Sequence, residues 1–136
     1  MADATTRHRS APTVSGALRT LQVAATLTVL CILVQFVTAG QLLSRNEGAL
    51  SLHGNGAIVM HVITAVATVA AFLHWRATRG PLWPTVLSAV VFVGSFVQAY
   101  LGDEGVMSVH VPLAMLLSGC AVAVLVWSFL PAARRG

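Results

Sequence analysis

The sequence predicts an all-α fold: an integral membrane four-helix bundle of up-down-up-down topology built from a duplicated helix hairpin. Three observations lead there. The chain of 136 residues is 57% hydrophobic and only 9% charged, with a mean hydropathy of +0.82, whereas a soluble domain carries about a quarter charged residues. The apolar residues fall into four stretches, about 21–43, 56–75, 82–101 and 109–130, and none holds an Asp, Glu, Lys or Arg. Each is near the ~20 residues that cross roughly 30 Å of hydrocarbon, and short segments join them.

Residues 1–17, polar and containing Pro12, are expected to form a disordered cytoplasmic tail ahead of a transmembrane domain over 18–131, and 132–136 a second cytoplasmic tail. The first apolar stretch is too long for a secretory h-region and no convincing small-residue cleavage site follows it, so it reads as a retained helix. Pro81 and Pro84 suit the first turn of the third helix and Pro112 the first turn of the fourth, where a missing N–H costs least. Connections this short force consecutive helices antiparallel, so the second and fourth run parallel.

The arginines orient the bundle. Arg7, Arg9, Arg19, Arg76, Arg79, Arg134 and Arg135 all fall on one side, leaving Arg45 with Glu47, Asp103 and Glu104 on the other. The positive-inside rule then puts both termini in the cytoplasm of a cell whose inner membrane holds the chain as a multi-pass protein. Trp75, Trp83 and Trp127 lie near the cytoplasmic helix ends, where an interfacial belt would place them. The formal net charge of +4 comes from arginines scattered at helix ends rather than gathered on a solvated face, so nucleic acid is not a partner. Cys31 and Cys120 lie within apolar runs and read as small buried residues, not as a structural disulfide.

Chemistry enters through a repeat. Phe36-Val37-Thr38-Ala39 resembles Phe96-Val97-Gln98-Ala99, and each is followed by an external loop and a histidine. Ser51-Leu52-His53-Gly54-Asn55-Gly56-Ala57 matches Ser108-Val109-His110-Val111-Pro112-Leu113-Ala114. His53 and His110 therefore start parallel helices at similar depth. Neighbouring helices ~8–10 Å apart put diagonal axes ~11–14 Å apart, room for a flat macrocycle between two side chains. That is the geometry of a single bis-histidine b-type haem, with Ala57 and Ala114 one turn on, where a porphyrin needs a small neighbour. A single histidine at such a helix end is ordinarily an interfacial residue bonded to water or a loop; two at equivalent positions weigh toward ligation.

His61 is the alternative iron ligand opposite His110 in place of His53. Standing ~12 Å along the helix from His53, it cannot share an iron with it, and a buried imidazole bonded to a Thr or Ser of a neighbouring helix is its plainer role. His8 and His74 are not convincing ligands. Arg45 and Asn55 are candidates to meet haem propionates, Gln35 and Gln98 to bond across the bundle or to touch a cofactor edge. No nucleotide loop, Ser-His-Asp set or zinc-type Cys pair is present, so any enzymatic chemistry would be the cofactor's.

With these residues in view, the span from about 21 to 130 resembles one half of a haem A synthase, carried by Leu52-His53 and Val109-His110 with the small residues after them, and small bacterial four-helix b-type cytochrome-like membrane proteins. The resemblance implies a haem site. The chain is a single half and lacks the external cysteine pair of many such enzymes, so synthase activity is not carried over. The expected function is a haem-binding membrane protein that transfers electrons at the external face, with quinone or a redox complex as partner, or a haem-carrying subunit. The alternative is an accessory or assembly subunit, in a homo- or hetero-oligomer, packing on larger membrane proteins through small residues such as Gly94 and Ser95. A transporter ranks last, since no span is broken.

Overall fold

A computed structural model describes residues 15–134. Four helices account for most of them: α1 over Gly16–Leu43, α2 over Ala49–Thr78, α3 over Trp83–Asp103 and α4 over Met107–Phe129, followed by a 3₁₀ turn at Pro131–Arg134. Arg7, His8, Arg9 and Arg135, together with most of the expected N-terminal tail, lie outside the described residues.

All four helices overrun their apolar stretches at one end or both. The hydrocarbon limits the apolar residues, but a helix continues into the interface because its hydrogen bonds are already made within the chain. Thus α1 begins at Gly16, not at 21, with Ser15 in extended conformation accepting the Leu18 N–H at 3.2 Å as an N-cap. α2 begins seven residues ahead of its apolar stretch, so Gly54, Asn55 and Gly56 are helical and His53 is inside the helix. Its far end is closed by Arg79, left-handed at φ 55°, whose N–H reaches the Trp75 carbonyl at 2.7 Å. Pro84 takes the first turn of α3 as expected, but Pro112 does not take the first turn of α4: the helix starts at Met107 and Pro112 falls inside it.

The helices pack in a ring, α1 on α2, α2 on α3, α3 on α4 and α4 back on α1. Alternating direction through three short connections leaves α2 and α4 parallel on one diagonal. The connections α1–α2 and α3–α4 share one end of the bundle, here the loop end; the α2–α3 turn and both chain termini share the other, the terminal end.

Residue size sorts inside from outside. Ala24, Ala25, Ala67, Ala70, Ala71 and Ala121 are buried, while aliphatics such as Leu33, Val62, Val93 and Leu116 are more than half exposed. Small residues let helices approach closely where lipid offers no hydrophobic drive to associate. Buried hydroxyls satisfy themselves: Thr28, Thr64 and Ser88 donate to the carbonyls of Ala24, Met60 and Pro84 at 2.9, 2.7 and 2.8 Å. The three residues are among those lining a mid-bundle cavity of about 20 Å³, the size of one water. Four helices long and apolar enough to cross a membrane, with large aliphatics outside, make this a multi-pass membrane protein.

One expectation changes at the terminal end. Trp127 is not at the lipid interface but buried, edge-on to Trp83 at 5.6 Å and to His74 at 5.9 Å. His74 is itself buried, 3.4 Å from the Ser15 hydroxyl, so it ties the start of α1 to the core. Gly94 and Ser95 also face inward, which removes them from any outer docking stripe: a Cβ on Gly94 would come within 2.7 Å of both Leu117 methyls, and Ser95 is 8% exposed.

Candidate functional site

His53 and His110 sit near the loop end on the diagonal pair α2 and α4, and each is held from behind by the helix that precedes it in the chain. His53 Nδ1 is 2.8 Å from Thr38 Oγ1 of α1. The Thr38 hydroxyl has one proton, shared between the carbonyls of Val34 and Gln35 at 3.1 and 3.0 Å. With that proton on the carbonyls the hydroxyl accepts from His53, the arrangement in which the imidazole proton sits on Nδ1. His110 reaches the same state by another route: its Nδ1 is 3.0 Å from the Gln98 backbone carbonyl of α3, which can only accept. The Gln98 side chain returns the contact, donating from Nε2 to the His110 carbonyl at 3.0 Å.

Both rings therefore keep a bare lone pair on Nε2, and among the described residues neither Nε2 has a hydrogen-bond partner. A neutral imidazole whose Nδ1–H is anchored and whose Nε2 is free is the form that binds metal, with ring orientation and basicity set by the anchoring acceptor. Ala57 and Ala114 are half-buried one turn deeper.

The repeat legible in the sequence is thus a repeat of contacts. Thr38 and Gln98 occupy equivalent positions, and each anchors the histidine of its own hairpin, one through a side-chain hydroxyl and one through a main-chain carbonyl. That Thr38 would do this had no signal beyond its place in the repeat. Two further atoms had none at all: Gln35 Oε1 and Gln98 Oε1 are buried without a partner among the described residues. Gln35 lies against the backbone of α2 where Gly56 makes room, since a Cβ there would meet Oε1 at 2.7 Å. Gly102 likewise leaves space for the His110 ring, 3.3 Å from a Cβ position.

Other candidates stand apart. His61 turns to α3, where Nδ1 is 2.8 Å from Ser95 Oγ and the ring stacks on Phe96. Arg45 is exposed in the α1–α2 connection, left-handed at φ 62°, with its N–H on the Leu42 carbonyl. Asn55 is exposed and about 200° round α2 from His53, so the fold does not bring it to the pair. Cys31 and Cys120 are free thiols, Cys31 donating to the Gly56 carbonyl at 3.6 Å.

No cluster of three or more His, Cys, Asp or Glu side chains gathers among the described residues. A mononuclear metal centre of the usual three-protein-ligand kind has no donor set here. A porphyrin supplies four nitrogens itself and asks the protein for two axial ligands, the number of histidines at equivalent places of the repeat. No family model, no curated protein and no solved structure matches the chain.

Proposed function

We propose that this chain is a membrane haem-binding protein in which His53 and His110 hold a single b-type haem near the external face, acting in electron transfer or as a haem-carrying subunit. One observation carries the reading. Two imidazoles on parallel, diagonal helices are both fixed by their Nδ1–H and both left with an unpartnered Nε2. His61 shares that state, but among the described residues only His53 and His110 stand at equivalent places of the repeat on the two parallel helices. The haem, when bound, supplies one-electron chemistry. The protein's part is to orient the rings through Thr38 and Gln98 and to keep bulky side chains from the turn below with Ala57 and Ala114.

The loop end is assigned to the external side by the arginines. Arg19, Arg76, Arg79 and Arg134 cluster at the terminal end among the described residues, where the positive-inside rule places the cytoplasm of the inner membrane. The accessory-subunit alternative would have to use outward-facing residues other than Gly94 and Ser95, which are taken up within the bundle.

The test is a reduced-minus-oxidised spectrum of protein purified in detergent from haem-replete cells. A Soret shift with a sharp α-band, one haem per chain, and loss of both in His110→Ala are the expected results. Haem-free protein from such cells would end the proposal.

A further inference from the structure

His61 is an intramembrane histidine that the haem pair leaves unused. It stands five residues beyond Gly56, where the apolar stretch of α2 begins, so it lies about 8 Å inside the hydrocarbon. Its Nδ1 is 2.8 Å from Ser95 Oγ, and Ser95 donates its own proton to the Phe92 carbonyl at 2.6 Å. With its proton on that carbonyl the serine accepts from the ring, the arrangement in which His61 carries its proton on Nδ1 and a lone pair on Nε2. That Nε2 has no partner among the described residues. The His61 side chain is half-buried where α2 meets α3. The imidazole stacks on Phe96 with centroids 4.0 Å apart and planes 19° from parallel, and Phe96 meets Phe92 edge-on at 5.2 Å. Phe96 is 48% exposed, and Val62 and Ile58 beside His61 are each 62% exposed. A flat aromatic wall bearing one hydrogen-bond acceptor thus faces lipid in the groove between α2 and α3.

An acceptor at this depth is costly unless a donor reaches it. Phospholipid headgroups stay at the surface, so the donor must dissolve in the hydrocarbon, lie flat against an aromatic surface and carry an O–H.

We propose that His61, Ser95 and Phe96 form a binding site, open to lipid between α2 and α3, for the headgroup of a lipid-soluble hydroquinone, one phenolic O–H donating to His61 Nε2. The acceptor and the stack stand independently of haem. The choice of hydroquinone among hydroxyl-bearing lipophiles rests on the haem reading, because this is the membrane-dissolved electron donor that a one-electron carrier would meet. Ser95 is a positioning residue: it fixes the tautomer that leaves Nε2 able to accept.

The experiment uses the full chain in phosphatidylcholine nanodiscs and an alkyl-benzohydroquinone with a diazirine in its tail, crosslinked by light and mapped by mass spectrometry. Crosslinks are expected in the α2–α3 groove. Excess decylhydroquinone should compete, whereas its dimethyl ether and diacylglycerol should not. His61→Phe, which keeps the stack and removes the acceptor, should lower groove labelling about tenfold, the scale of one lost hydrogen bond, with the haem spectrum unchanged. Labelling spread evenly over lipid-facing residues, equal competition by the ether or diacylglycerol, or undiminished labelling of His61→Phe would overturn the site. So would loss of haem in His61→Phe, which would make this histidine an iron ligand. Labelling is also read in His110→Ala. Persistence there upholds the groove site whatever becomes of the haem reading, and disappearance there means the probe reports the haem pair and overturns it.

Discussion

Thr38 shows how one hydroxyl sets the chemistry of a side chain on another helix. Because its proton is held by the Val34 and Gln35 carbonyls, it fixes His53 in the tautomer that presents Nε2. Thr38→Val keeps the shape and removes the acceptor, leaving the Nδ1–H unsatisfied. Haem affinity by titration of apoprotein is expected to fall about 10–100-fold, as for other anchors of metal-binding histidines, and Thr38→Ser is expected to restore it. Gln98 gives the contrasting case. The His110 anchor is a main-chain carbonyl, which no side-chain substitution removes, so Gln98→Leu should weaken haem binding less than Thr38→Val. It should also leave thermal stability within about 1 kcal/mol of wild type or above it, because it exchanges one hydrogen bond for removal of the orphaned buried Oε1. A Gln98→Leu protein as haem-poor as Thr38→Val would mean that the amide side chain, not the carbonyl, sets His110.

Among the elements, the α3–α4 interface depends on a single missing side chain. Gly94 lets the Leu117 methyls fill the space a Cβ would take, and both lie 2.7 Å from that position. Gly94→Val overpacks a site in which Leu117 is already buried, and a loss of about 1–3 kcal/mol is expected in detergent unfolding. Gly94→Val with Leu117→Ala should recover most of it. Absence of recovery would place the strain elsewhere along α3. The helix bounds carry a related lesson. Apolar stretches mark where lipid is, whereas caps mark where the helix ends, which is why α2 runs from Ala49 to Thr78 around a shorter apolar segment. Pro112 illustrates it: a place in the first turn follows only if the helix starts at the apolar boundary, and α4 starts at Met107.

For the whole molecule, orientation decides which compartment the histidine pair faces. If arginines set the topology, a reporter fused after residue 136 is expected to behave as cytoplasmic: a fluorescent protein should shine and a periplasm-dependent phosphatase should be silent. A reporter inserted between α1 and α2, or between α3 and α4, should give the opposite pattern. Reversal of both would move the site to the inner face and end the proposed external electron exchange. The terminal end is built to be closed, with Leu18, Leu21, His74 and Trp127 buried together. The loop end instead carries the unpartnered nitrogens and amide oxygens.

Several of these features were legible in the sequence for a simple reason. Hydrocarbon admits only residues without charge, so the four spans, the antiparallel order forced by short connections, and the parallel alignment of the second and fourth helices all follow from composition and spacing. Even the equivalence of His53 and His110 is a matter of counting from each hairpin. Tertiary structure decided what counting cannot reach: which neighbour faces each side chain and which of its two nitrogens is used. Three histidines looked alike in the chain. Thr38, the Gln98 carbonyl and Ser95 supplied those partners, tying His53 to α1 and both His110 and His61 to α3, because a tautomer is set by the partner across an interface and not by the residue itself.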